Sequence, residues 1–392
     1  MATRPAHARA PRVRVTRVRR ARTLVARDSR LEPPRQTSRL VEYYSGIGAV
    51  RLALEACTDV TRAVAIDNSD AANAVYTANF GDAPRRGNIE HADADETLAA
   101  VSLGSEDAYD DVVWTMAPPC QPYTRRGKGL ASDDPRARSF ASVLSAIERG
   151  LRVAPSRVFI ENVRGFEVSE SRRRCVRALR GCGYDVKEII ISPTALGIPY
   201  TRERYYLMAS LRGFNDAAAT PHPAFAGRMI DDDGAFIDPH TALHVECAQL
   251  DAYVDSTGRS IDTEPLTLKP ETVRKYWKFL DVVTPASQRC ATFTAGYAST
   301  VFGGSVLLTN EDLARELDVD TNLGTARIRE RDVERFVGHL RWFDVEEIKR
   351  IHGVRESFSF EVATKKKSLF LLGNSVSVDV VRELLSYLVR AG

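Results

Sequence analysis

Short apolar runs that alternate with helical patterns constrain this fold more than any other feature of the sequence. "RLVEYY" (39–44), "RAVAID" (62–67), "DDVVWTMA" (110–117), "RVFIEN" (157–162) and "RYYLMAS" (204–210) are too short for stable helices and rich in strand-forming residues. After the first four come helical stretches containing "RLALEAC", "SDAANAVYTANF", "SFASVLSAIERGLRVA" and "SRRRCVRALRGCGY". Strands and helices in this alternation imply βαβ units and a mostly parallel sheet buried on both faces. Ligands of such sheets sit beyond the carboxyl ends of the strands.

The pattern sets the domain limits. Residues 38–210 form the α/β domain, and 211–338, with prolines, glycines and an acid run but little periodicity, a second and less regular one. Residues 339–392 return to α/β character through "LRWFDVEEIKRIHG" and "LFLLGNSVSVDVVRELLSYLV". Residues 1–37 are a basic, disordered extension. With ten Arg and only Asp28 as an acid, residues 1–30 carry +9, whereas the whole chain carries +3. This opening reads as an organellar transit peptide, or as a basic arm that touches RNA, or as the product of a start codon placed upstream. No apolar run approaches 18 residues, so no membrane span is expected. The six cysteines are scattered and suit a reducing compartment, cytoplasmic or nuclear, with the mitochondrion as the alternative set by the arginines. Cys175 and Cys182 match no zinc spacing, and no metal is expected.

Four constellations carry chemistry. In "YYSGIGAV", Gly46 and Gly48 stand between a strand and a helix, where backbone amides can approach a ligand. Asp67 ends the next strand, placed either to accept ribose hydroxyls or to cap the following helix. In "APPCQPYTRRGKG", Pro118 and Pro119 deliver Cys120 on a rigid approach. Arg125, Arg126 and Lys128 could activate that thiol or hold a phosphate backbone. Glu161 closes a strand and should share the sheet edge with Cys120, where apolar surroundings raise a carboxyl pKa. Arg202 and Arg204, two apart at a strand entrance, share a face suited to a carboxylate or another anion. A solvated strand start is the plainer alternative.

The order of these pieces resembles the cytosine carbon-5 methyltransferases. "PPCQPYTRRGKG", "ENVRGFE", "LRWFDVEEIKRIHG" and "LLGNSVSVDVV" narrow the resemblance to the tRNA-aspartate branch, over roughly Arg39 to Leu388. It implies a Rossmann-like methyltransferase domain carrying a smaller target-recognition domain. It also implies S-adenosyl-L-methionine as methyl donor, released as S-adenosyl-L-homocysteine. By match, Cys120 is the nucleophile, Glu161 the proton partner of ring nitrogen 3, and Arg202 and Arg204 the pair that positions base and carboxyl. The donor falls to Tyr44, Ser45, Gly46, Ile47, Gly48, Asp67, Asn68, Asn88, Ile89, Pro118, Pro119, Asn374 and Ser375. Substrate falls to Gln121, Thr124, Arg125, Arg126, Lys128, Asn162, Phe293 and Thr294. Taken alone, "GNSVSVDVV" reads as a helix N-cap.

Two departures from the branch pattern stand out. Thr292 replaces the cysteine of a Cys-Phe-Thr element, with Cys290 two residues earlier, and Asn88 replaces an acid. The resemblance implies a monomeric enzyme that methylates cytosine 38 of tRNA-Asp. A DNA methyltransferase and a non-catalytic nucleic-acid-binding homologue are the alternatives.

Overall fold

The computed structural model describes residues 36–102, 111–119, 135–214, 228–231, 233–235, 245–255, 266–316, 318–320 and 325–390. The basic extension to residue 35 lies outside them, as do Cys120, Gln121, Thr124, Arg125, Arg126 and Lys128.

The first strands are β1 (Thr37–Tyr43), β2 (Asp59–Asp67), β3 (Arg85–Arg86) and β4 (Asp111–Met116). They are followed by β5 (Arg157–Val163), β6 (Asp185–Ile191), β7 (Arg204–Ser210) and β8 (Arg228–Met229). Together they form one sheet in the order β3-β2-β1-β4-β5-β7-β6-β8. Pairing is parallel from β3 through β5 and antiparallel beyond, so the sheet is mixed. β6, "DVKEIII", was not among the expected strands. It enters as the outer partner of β7, and its alternation is masked because its last residues are apolar on both faces.

The helices of this region are α1 (Ala49–Glu55), α2 (Asp70–Phe80), α3 (Ala94–Ser102), α4 (Pro135–Arg149) and α5 (Glu170–Gly181). Successive strand residues feed opposite cores, as the period of two requires. Leu40, Val113, Phe159 and Tyr206 join one core, while Val41, Trp114, Ile160 and Leu207 join the other.

Beyond residue 266 a second sheet combines β9 (Val282–Val283), β10 (Val306–Leu308), β11 (Asp318–Asp320), β12 (Thr325–Arg327) and β13 (Leu340–Arg341). The short helices α6 (Pro270–Tyr276), α7 (Glu311–Arg315) and α8 (Val333–Phe336) accompany it. Its own small core gathers Leu268, Val273, Val282, Val306 and Phe336. Three elements depart from the expected limits. β8 pairs with the first sheet although it follows residue 210, β13 pairs with the second although it follows 338, and β1 starts before residue 38.

The chain closes with α9 (Val345–Ile351), α10 (Lys365–Gly373) and α11 (Val378–Val389). The Arg157 guanidinium of β5 donates to the Leu388 and Val389 carbonyls, which fastens α11 to the first sheet. Asn374 is the C-cap of α10, and Ser377, not Asn374, is the N-cap of α11. "GNSVSVDVV" therefore ends one helix and starts the next.

Candidate active site

β1 is flanked by β2 and β4, so the chain winds outward in one direction and then in the other from β1. The crevice at such a reversal, past the carboxyl ends of the strands, is where an open α/β sheet takes its ligand. Two segments meet there. One is the turn after β1, and the other is Ala117–Pro119 after β4, joined where the Ala117 amide donates to the Tyr43 carbonyl at 3.4 Å.

The turn after β1 is built on left-handed backbone: φ is 57° at Tyr44, 54° at Gly46 and 82° at Gly48. The two glycines serve different needs. A Cβ on Gly46 would meet nothing, so there the glycine answers to φ alone. One on Gly48 would lie 2.4 Å from Phe80 and 2.9 Å from Tyr76, so this glycine also lets α1 pack on α2.

Asp67 is not the cap of α2; Ser69 is, accepting from the Ala72 amide. Both Asp67 oxygens instead accept backbone amides, from Gly46 at 2.9 Å and Ser69 at 2.8 Å. A cavity of about 290 Å3 opens beside it, lined by Tyr44, Asp67, Asn68, Asn88, Ile89 and Pro119. Gly87 and Ser139 complete the lining; neither carried a sequence signal, because one lies on the loop after β3 and the other on α4. The Tyr44 hydroxyl donates to the Ser139 hydroxyl at 3.0 Å, which ties α4 to the turn. Asn88 accepts the Glu90 amide and so caps the single turn at Ile89.

This cavity suits a nucleoside-bearing donor. It joins a fixed carboxylate to apolar walls, and Ser45 beside it holds a buried hydroxyl with no partner among the described residues. The Ile47 side chain packs in the larger core, so only its backbone belongs to the turn beside the cavity.

Glu161 and Arg204 meet, with Nε 3.3 Å from Oε1. Burial pushes the Glu161 carboxyl above its ordinary range, against the pull of the Arg204 and Arg202 guanidiniums. Asn162, expected at substrate, lies next to Glu161 on β5. It is buried, its Nδ2 donates to the Pro118 carbonyl at 3.3 Å and its Oδ1 accepts the Val163 amide. Its work is to hold the Pro-Pro segment against β5.

The two arginines part company. Arg202 is buried and takes no carboxylate partner among the described residues. Its Nη1 donates to the Tyr200 hydroxyl at 3.2 Å and the Phe293 carbonyl at 3.0 Å; its Nη2 donates to the Gly373 carbonyl at 3.1 Å and to that of Ser375. It thereby joins the segment before β7, the segment between β9 and β10, and the α10–α11 junction. Expectation placed both arginines on one face, but Arg202 precedes the strand and faces these carbonyls.

Tyr200 and His352 were invisible to sequence reasoning, because only packing brings them together. His352 Nδ1 donates to the Ile348 carbonyl at 2.9 Å, so Nε2 is left to accept the Tyr200 hydroxyl at 3.2 Å. Burial and Arg202 hold the His352 pKa down at about 3, so the ring is neutral. Phe293, expected at substrate, lies stacked on Tyr200 in the core, and only its carbonyl reaches the site. Thr294 is exposed, and Gly373 packs against its backbone so closely that a Cβ there would sit 2.3 Å from the Thr294 carbonyl. Cys290 is a buried thiol whose pKa burial raises well above the ordinary value, so it lies in the core as an inert residue.

The family model of C-5 cytosine-specific DNA methylases matches residues 38–390. The chain belongs to the cytosine carbon-5 methyltransferase family. It is 32% identical to the tRNA (cytosine(38)-C(5))-methyltransferase of Schizosaccharomyces pombe, over 90% of this chain and 97% of that one. Identity to the human protein of the same name is 30%, over 89% and 98%. Among solved structures, the S. pombe Dnmt2 methyltransferase superposes with a TM-score of 0.71 at 28% identity, covering 91% of this chain and 99% of that one. As a cytosine carbon-5 methyltransferase, the chain shares with these relatives the mixed α/β sheet described above, and it stands within their tRNA-named branch.

Proposed function

We propose that this enzyme transfers a methyl group from S-adenosylmethionine to carbon 5 of cytosine 38 in the anticodon loop of tRNA-Asp, through a covalent adduct with Cys120. The observation that carries the reading is Glu161, a carboxyl kept protonatable by burial and aimed by Arg204 at the sheet edge where the Pro-Pro segment ends.

Carbon 5 of cytosine is a weak nucleophile until a sulfur adds at carbon 6. As the Cys120 thiolate adds there, the Glu161 carboxyl gives its proton to ring nitrogen 3, and carbon 5 gains enamine character. When bound, S-adenosylmethionine supplies an electrophilic methyl carbon on its sulfonium. Asp67 would hold its ribose hydroxyls, the turn Tyr44–Gly48 its methionine end, and Asn88, Ile89 and Pro119 the adenine side. Loss of the carbon-5 proton then expels the Cys120 sulfur and returns the nitrogen-3 proton to Glu161. No described side chain is placed as the base for that step, and water can serve.

The target base must leave its stack to reach this site, and a loop nucleotide does so at lower cost than a base in a duplex. That favours RNA, as do the names of the relatives. The second sheet, with residues 211–338, is assigned to target recognition. The reading is tested by tritiated-methyl transfer to total tRNA and to duplex DNA in parallel, with Cys120→Ala as the control. Transfer to tRNA that the variant abolishes is expected. Transfer to DNA alone, or a variant as active as the wild type, overturns it.

A further inference from the structure

A groove of about 830 Å3 lies on the second sheet's side of the molecule, away from the donor cavity. Its floor is apolar, from Leu268, Val301, Trp342 and Leu369, and its mouth carries Lys269, Lys365 and Lys366. All three lysines are exposed. Among the described residues Lys269 and Lys366 have no ion-pair partner, and Lys365 has only Asp344 at 3.7 Å. Glu271, in the first turn of α6, is an acid two residues from Lys269.

One exposed aromatic ring, Phe302, belongs to the same lining. Phe302, on the groove wall, is 55% exposed and meets Phe279, 60% exposed, edge to face at 5.6 Å. Lys278 lies 5.0 Å from the Trp277 ring. Exposed rings interleaved with unpaired lysines are the means by which proteins hold single-stranded nucleic acid: bases stack on the rings and phosphates meet the ammonium groups. An acidic peptide would use the lysines but would leave the rings bare.

One helix links the groove to the Arg202 joint. α10 begins in it at Lys365 and ends at Gly373, whose carbonyl Arg202 holds, about 12 Å away at 1.5 Å per residue. We propose that this groove seats an unstacked nucleotide of the same RNA strand that carries the target cytosine, its base on Phe302 and its phosphates on Lys269 and Lys366. The inference rests on the tRNA reading above and adds to it a second anchoring point.

The test uses full-length Phe302→Ala, Phe302→Trp and the double variant Lys269→Ala/Lys366→Ala, with tRNA binding followed by anisotropy across a salt series. Phe302→Ala should weaken tRNA binding about 5- to 100-fold, a lost stack, and Phe302→Trp should restore it. The double lysine variant should flatten the log–log salt slope by about 1.4, two single-strand phosphates. In all three, S-adenosylmethionine should bind as in wild type, and the loss should appear in the KM for tRNA. If wild type methylates tRNA while affinity and slope are unmoved in every variant, the groove belongs to another occupant such as an acidic peptide, and this inference fails alone. If wild type methylates only duplex DNA, the tRNA reading fails and the groove assignment falls with it.

Discussion

Glu161 and Glu42 are both carboxyls that burial holds above their ordinary range, but with opposite consequences for the enzyme. Glu161 acts on substrate in the proposed reaction, so Glu161→Gln should lower kcat roughly 100- to 10,000-fold while tRNA affinity persists. Because the protonated form is the donor, wild-type turnover should fall as pH rises through the folded-state pKa. Glu42, in β1 beneath the turn, has its pKa pushed up to about 8 by burial, with Tyr76 and Arg51 pulling the other way. Its neutral form is the one the fold prefers. The stability this provides is complete below about 4.5, the ordinary value, and drains away as pH climbs to 8. Glu42→Gln should therefore flatten the decline of Tm between pH 5 and 8; an unchanged decline would assign it to other groups. Asp67 was legible from its place at a strand end. Tyr200 and His352 were not, because a hydrogen bond between residues 152 positions apart leaves no trace in local pattern.

At the scale of elements, close packing at one glycine decides how α10 meets the second sheet's approach segment. A Cβ at Gly373 would strike the Thr294 backbone, so Gly373→Ala should destabilise the protein by about 1–3 kcal/mol in urea unfolding and lower methyl transfer with it. Glu347 has a comparable role between β13 and α9. Its oxygens accept the Arg341 guanidinium in two bonds, along with the Asp344 and Asp255 amides, and both Glu347 and Arg341 are buried. Glu347→Ala leaves a buried guanidinium without its counter-charge and should cost about 3–5 kcal/mol. Strands β1, β2, β4, β5 and β7 were readable because their apolar runs end in turn or cap residues. The run "LFLLG" carried only a general α/β character in the sequence, and the structure makes it the end of α10, packed against α9.

Across the whole molecule, the sequence showed a recovered α/β pattern in the last residues, and in the structure Arg157 bonds α11 to the first sheet. The interlock of the second sheet with the larger core was not visible in the sequence. Tyr297, Leu307 and Phe343 belong to that core although they flank or form the second sheet. At the amino end, Gln36 already takes part in the fold. The Gln36 side chain donates to Asp111 and its carbonyl accepts the Asp59 amide, so contacts with the first sheet extend before residue 38. Removing residues 1–35 should leave tRNA methylation and Tm unchanged, whereas removing 1–37 should lower Tm by cutting these bonds; a collapse of activity in the shorter deletion would make the arginine arm part of the RNA site.

Arg202 fastens three distant segments, its acceptors among the described residues are all neutral, and it is buried. A joint of that kind is nearly indifferent to electrolyte, whereas the grip of lysines on a polyanion loosens steeply with it. Raising potassium chloride should thus strip RNA from a catalyst whose architecture stays intact, and dilution should bring full turnover back.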